Sequence, residues 1–133
     1  MIPSLITLFA AFIFAAQSPD FSYKARELRS GLWINSSPVT LKSLRGKVVV
    51  IGVHTPRADY EKDVSKLRET ITRLGIKFPV VVDEKQKMFR DYLCDLWPSQ
   101  FVIGRDGIVR YSHGGVGRYD EMEKVVQNLL KAR

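Results

Sequence analysis

One thiol, Cys94, and two imidazoles, His54 and His113, are the side chains of this 133-residue chain best suited to nucleophilic or ligand chemistry. A dithiol reductase needs one sulfur that attacks as the thiolate and a second that resolves the mixed disulfide. A single cysteine therefore excludes a Cys-x-x-Cys pair, an internal disulfide and a four-cysteine zinc site within the chain. Cys94 remains able to form mixed disulfides with an external thiol. Arg90 and Lys87, one and two helical turns back, favour its thiolate weakly, whereas Asp91 and Asp95 oppose ionisation, so an incidental surface thiol is the preferred reading.

His54 closes an apolar run and is followed by Thr55 and Pro56, at the kind of strand end where open α/β sheets place their sites. No carboxylate stands at a metal-ligand spacing from either histidine, so no metal is expected, and no motif requires a cofactor. Gly114, Gly115 and Gly117 lack the Lys-Ser/Thr ending of a phosphate loop and read as a strand-to-helix connection.

The elements that position these residues follow from periodicity. In GKVVVIGVHTP (residues 46–56), Val48, Val49, Val50, Ile51 and Val53 are apolar on both alternating faces, which predicts a buried central strand. Pro56 suits the first position of a helix with Thr55 as N-cap, and Tyr60, Val64, Leu67, Ile71 and Leu74 recur at helical spacing up to Gly75. FPVVV (residues 78–82) is the next strand, which makes a right-handed parallel crossover the expected connection. Residues 85–96 predict a second helix with Met88, Phe89, Tyr92, Leu93 and Leu96 on one face, pointing Cys94 to the other, solvent side. Trp97 and Pro98 end it.

Residues 100–103 and 108–113, around Arg105-Asp106-Gly107, predict an antiparallel hairpin. Asp120 and Glu123 fit a capping box for a last helix that turns Met122, Val125, Val126, Leu129 and Leu130 inward. Upstream, residues 33–34 and 39–41 read as two short strands about Asn35-Ser36-Ser37-Pro38. After Gly46 the order is that of an α/β domain with a four-stranded mixed sheet flanked by helices.

The formal charge is +7, and its placement is uneven: up to Arg57 seven Lys and Arg face only Asp20 and Glu27. A basic patch suits an acidic partner, anionic lipid or nucleic acid. No aromatic or glycine pattern of an RNA-binding module accompanies it, so nucleic acid is not an expected partner. Residues 1–16, MIPSLITLFAAFIFAA, form an uncharged apolar run ending in small residues. It is shorter than the roughly 20 residues of a spanning helix and has the form of a signal peptide or N-terminal anchor. The expected organisation is a leader over residues 1–18, a lead-in segment with a short hairpin over 19–45, and the folded domain over 46–133. The domain is expected to be exported, or tethered to a membrane only through its N-terminus.

Residues 33–50 (WINSSPVTLKSLRGKVVV), 51–61 (IGVHTPRADYE), 74–83 (LGIKFPVVVD), 97–111 (WPSQFVIGRDGIVRY) and the loop 113–117 resemble, in order and spacing, consecutive pieces of a redoxin-type, TlpA-like thioredoxin domain. More closely, they are similar to the thioredoxin-like domains attached to cytochrome c biogenesis-type membrane reductases. The resemblance implies a thioredoxin-like α/β sandwich, a thiol-disulfide oxidoreductase background in an extracytoplasmic, for example periplasmic, setting, and a cis-proline turn at Trp97-Pro98 that faces the site and contacts substrate backbone.

A departure accompanies it. In that family the strand beginning Gly-Lys-Val-Val ends in a turn carrying Cys-x-x-Cys and is followed by a helix before the strand that leads into Gly-Val-His-Thr-Pro. Here Gly46-Lys47-Val48 runs directly into Ile51-Gly52-Val53. One strand, one helix and the dithiol are missing, and Ala58 and Glu61 stand about where the cysteines would lie. The expectation is a redox-inactive domain that binds a protein or peptide partner near Trp97 and Pro98 and at the strand-end mouth of His54, Thr55 and Pro56. The alternative is a thiol-disulfide oxidoreductase, of redoxin or antioxidant type, acting through Cys94 with an external thiol.

Overall fold

The computed structural model describes residues 22–28 and 31–132; the expected leader lies outside them. In chain order the elements are β1 (Tyr23–Lys24), β2 (Leu32–Ile34), β3 (Gly52–His54), a 3-10 turn (Asp59–Lys62), α1 (Val64–Arg73), β4 (Val80–Val82), α2 (Lys87–Asp91), β5 (Ser99–Ile103), β6 (Ile108–Gly114) and α3 (Tyr119–Lys131).

The strands form two three-stranded sheets. In one, β4 lies between β2, antiparallel to it, and β3, parallel to it. In the other, β6 lies between β1 and β5, both antiparallel. The single four-stranded sheet expected from the sequence is thus two smaller ones. The reason lies in Val48, Val49 and Val50, which are 57%, 43% and 62% exposed and belong to no strand. They run straight into β3, and a segment continuous with a strand has no turn by which to fold back and pair beside it. As a result, among the described residues, β3 and β5 each keep one edge free of ladder hydrogen bonds, and no ladder joins them.

Alternation along β4 builds the core on both faces of its sheet. Val81 packs with Trp33 and Met88, covered by Leu28, Val39 and Ile51. Val80 packs on the opposite face with Ile34 and Ile71, covered by Leu67, Ile76 and Val82. A fully buried side chain such as Val81 contributes about 1.5–3 kcal/mol. Trp33 and Ile34 pair with Val81 and Val80 rather than with residues 39–41, so the expected N-terminal hairpin does not form. Burial on both faces of a central sheet outweighs a local turn.

The parallel β3-α1-β4 crossover and the β5-β6 hairpin form as predicted. Helix α1, however, starts at Val64 and not at Pro56, because the Asp63 carboxylate accepts the backbone N–H groups of Ser65 and Lys66 at 3.0 and 3.2 Å. Its C-terminus is closed by Gly75 at φ +65°, as the sequence suggests. The capping box at Asp120 does not form: Arg118, in a left-handed conformation, precedes α3, and Asp120 lies inside its first turn.

Helix α2 is also shorter than expected. It ends at Asp91, and Leu93 adopts a left-handed φ of 54°. Tyr92, just beyond it, packs edge-on against Phe101 and donates its hydroxyl to the Arg26 carbonyl at 2.5 Å. Burial above all, then the nearby acidic groups, pushes this phenol up to about 12. A phenol whose folded value lies above its ordinary value of 10 stabilises the fold below pH 10 and withdraws that support as pH rises toward 12. Stability is therefore expected to fall between pH 10 and 12, and Tyr92→Phe to flatten that part of the profile; urea titrations across the range provide the check.

A candidate binding mouth at the end of β3

Beyond the C-terminal end of β3 lies an open cavity of about 500 Å³ lined by Val53, His54, Thr55, Arg57, Glu61, Trp97 and Pro98. The structure thus brings together His54, Thr55, Trp97 and Pro98 from two distant parts of the chain. Pro56 is buried and turns instead toward a smaller polar cavity of about 240 Å³, which it lines with Ala58, Asp59, Lys62 and Glu84 among others. Of the two positions expected to replace the cysteines, Glu61 reaches the mouth and Ala58 does not.

The Trp97-Pro98 bond is cis. Three contacts fix this turn. The indole Nε1 donates to the Thr55 carbonyl at 3.1 Å, and the ring stacks on Phe89 with centroids 4.0 Å apart. The Pro98 carbonyl accepts the N–H of Gly115 at 2.7 Å. Gly115 has φ +88°, a conformation that side-chain-bearing residues rarely adopt, so the glycine-rich loop braces the proline turn.

His54 Nε2 donates to the Glu61 carbonyl at 2.8 Å, which assigns the proton to that nitrogen and leaves Nδ1 as an acceptor in the neutral ring. The backbone N–H of Arg57 and then its guanidinium donate to the Glu61 carboxylate at 2.6 and 3.0 Å, holding it below the usual carboxylate range and raising the guanidinium in turn. The mouth therefore holds an imidazole, an ion pair and two part-exposed apolar walls, Val53 and Trp97. It contains no thiol, and its one hydroxyl, that of Thr55, donates to a carboxylate behind it. Among the described residues no group of three or more His, Cys, Asp and Glu is placed to hold a metal ion.

Cys94 does not line the mouth. The early end of α2 also turns it away from the expected solvent side: the thiol is part-buried, while Leu93, expected inward, is 89% exposed. Burial is the main influence that pushes the thiol up, with Asp95 and Asp83 adding to it and a hydrogen bond with Ser99 opposing. The thiolate is thus disfavoured.

Asp83 organises the mouth from behind and was not singled out by sequence reasoning. Only 4% exposed, its carboxylate accepts the backbone N–H groups of Met88 and Phe89 at 3.1 and 3.0 Å and the Thr55 hydroxyl at 3.3 Å. It ties the end of β3 to the ring on which Trp97 stacks. The signal was an acidic residue at a strand end, five residues before an N–H group in the first turn of a helix.

The AhpC/TSA family model matches residues 40–112, more than half of the chain. The chain belongs to the AhpC/TSA family. Among its AhpC/TSA and thioredoxin-like relatives is Protein DipZ of Mycobacterium tuberculosis (strain CDC 1551 / Oshkosh), 30% identical over 133 residues that take in 74% of this chain and 19% of DipZ. Thiol-disulfide oxidoreductase YkuV of Bacillus subtilis (strain 168) is 27% identical over 81 residues, 61% of this chain and 55% of YkuV. The chain thus spans about a fifth of the length of DipZ and about half that of YkuV. A crystal structure of a thioredoxin-like superfamily protein superposes with a TM-score of 0.74 at 24% identity, covering 83% of this chain and 97% of that one. The fold is thioredoxin-like, in agreement with the resemblance carried by the sequence, and the single cysteine is consistent with an AhpC/TSA chain that has no Cys-x-x-Cys pair.

Proposed function

We propose that this chain is a redox-inactive thioredoxin-like domain that binds an extended segment of a protein partner at the mouth. The observation that carries this reading is the separation of thiol and mouth: the one cysteine is part-buried and does not line the cavity, while the Trp97-Pro98 turn and the end of β3 keep a braced, open surface. The free edges of β3 and β5 present backbone N–H and C=O groups, which suit pairing with an extended peptide. Trp97 and Val53 offer apolar contact, and Arg57 and Glu61 a polar rim. The match to DipZ supports loss of a segment: it runs over 133 residues but includes 74% of this 133-residue chain, about 98, which leaves about 35 positions with no counterpart here. That is room for a strand and a helix. The uncharged apolar run of residues 1–16 supports an exported or N-terminally tethered domain.

Insulin reduction with an external dithiol as electron source tests the reading. No turnover above background is expected, either for the chain or for Cys94→Ala, together with slow alkylation of Cys94. Burial, which pushes the thiol up, disfavours the thiolate that alkylation requires. Turnover that survives Cys94→Ala would refute the proposal. The relatives favour a second reading, a thiol-disulfide oxidoreductase in which Cys94 forms a mixed disulfide and an external thiol resolves it. Turnover abolished by Cys94→Ala, with fast alkylation, would establish that reading instead.

A further inference from the structure

The mouth lies at the start of β5; the other end of that strand carries a different surface. Two segments distant in sequence converge there on the turn between β5 and β6. β1 pairs with β6 through Lys24 opposite Ile108, and Ala25 N–H donates to the Gly107 carbonyl at 2.9 Å. The turn over residues 41–46 is fastened by the Gly46 N–H to the Arg105 carbonyl at 3.3 Å and by the Arg45 guanidinium to the Asp106 carbonyl. Leu41 N–H donates to the Glu27 carboxylate at 2.6 Å, joining the first segment to the second.

This convergence gathers Lys24, Arg26, Lys42, Arg45, Lys47 and Arg105, all exposed, at one pole. Two acidic residues accompany them. Glu27 is engaged by the backbone of Leu28 and Leu41, and Asp106 by Arg110 at 2.6 Å and by the Ile108 N–H. Arg105 also donates to the Leu129 and Ala132 carbonyls, where the C-terminal end of α3 offsets part of its charge. Most of the chain's excess of +7 is thereby concentrated in one place. The mouth and the smaller cavity beside it differ, since Arg57 pairs with Glu61 and Lys62 with Asp59.

We propose that this basic pole docks on an anionic lipid surface. Two features favour lipid over other polyanions. The described residues begin at Ser22, beside this pole, and the sequence before it contains the uncharged apolar run of residues 1–16, so the apolar run is joined to the domain through its cationic end. One apolar signal with one polybasic patch is the combination that gives stable surface attachment. The pole also lacks stacked aromatic platforms of the kind that hold single-stranded nucleic acid; both ring pairs found among the described residues, Phe89 with Trp97 and Tyr92 with Phe101, join α2 and its flanking turn to one another and to β5, and none of these rings belongs to the basic residues of the pole. β5 separates the pole from the mouth by five residues, about 17 Å at 3.4 Å per residue, so a docked domain holds its mouth away from the bilayer. This assignment stands whether or not the mouth binds a peptide.

Co-sedimentation of the full chain with phosphatidylcholine vesicles, with and without phosphatidylserine, tests it. Binding is expected to require phosphatidylserine and to weaken steeply as salt is raised. Neutralising Lys24, Arg26, Lys42 and Lys47 together to Gln is expected to weaken it about fivefold per charge, provided circular dichroism shows the variant folded. A second set, Lys66→Gln with Arg68→Gln on exposed α1 positions away from the pole, is expected to leave binding within about twofold, which separates the pole from net charge. Equal binding to neutral vesicles, equal loss in the two variant sets, or tighter binding to an acidic peptide or a DNA oligonucleotide than to phosphatidylserine vesicles would each overturn the assignment.

Discussion

Asp83→Ala is expected to cost about 3 kcal/mol of stability, the largest effect of any single polar substitution in this fold. The carboxylate is buried and accepts three hydrogen bonds, two from the first turn of α2 and one from Thr55. Removing it leaves the buried N–H of Met88 without its acceptor, and such a group loses its desolvation cost without compensation. At about 4 °C per kcal/mol for a domain of this size, thermal unfolding should begin some 12 °C lower. Asp83→Asn keeps one amide oxygen as acceptor and is expected to lose about half as much. An unchanged Tm in Asp83→Ala would show that the three bonds contribute nothing net. Because Thr55 lines the mouth and Phe89 backs its Trp97 wall, the same variant should also weaken the peptide binding proposed there.

The second large effect is expected at Trp97. Trp97→Ala removes the stack on Phe89, worth about 0.5–1.5 kcal/mol, and the indole hydrogen bond to Thr55, worth about 1 kcal/mol. The ring is 39% exposed, so less hydrophobic burial is lost than in a core substitution, and a total of about 2 kcal/mol follows. Peptide binding at the mouth should fall more than tenfold, since one apolar wall disappears and the tie between the two sheets is cut. Trp97→Phe keeps an aromatic ring and loses the donor, and should retain most of the stability but not the register of Thr55. Isothermal titration with a peptide library hit, alongside urea unfolding, distinguishes the two. Binding unaffected in Trp97→Ala would move the binding surface away from the mouth.

Much of this architecture is legible in the residues themselves. Leu67 and Ile71 at helical spacing, the Val80 to Val82 run and the Arg105-Asp106-Gly107 turn each satisfy a local rule that the packed domain also obeys. The meeting of His54 and Thr55 with Trp97 and Pro98 was legible only through resemblance, because no local pattern records which strand end lies beside which turn. Val48 to Val50 misled for a physical reason. Apolar alternation reports what would gain from burial, and it is silent on whether a neighbouring strand exists to bury it. Cys94 misled for another. Its projected direction assumed three further residues of helix, and the left-handed backbone at Leu93 ended that geometry. Asp83 was overlooked because an acidic residue after a strand looks like any solvated turn until its depth is known.

The divided sheet has a consequence for how the molecule holds together. Both clusters of the central core belong to the β2-β4-β3 half, whereas the β1-β6-β5 half has Val109 as its deeply buried residue and leans on α3. Hydrogen-bonded continuity, which in an unbroken sheet spreads the cost of any local opening across every strand, stops between β3 and β5. The halves communicate through α2 and its flanking turn, by way of Phe89 on Trp97 and Tyr92 on Phe101. Two cooperative units are therefore expected instead of one. In native-state hydrogen exchange the amides of β5 and β6 should open at lower free energy than those of β4, and a ligand that pairs with both halves at once should bring the two opening energies together. Occupancy of the mouth would then be read as a change in cooperativity, with the domain acquiring, while the ligand stays bound, the single unfolding transition that its own strands do not provide.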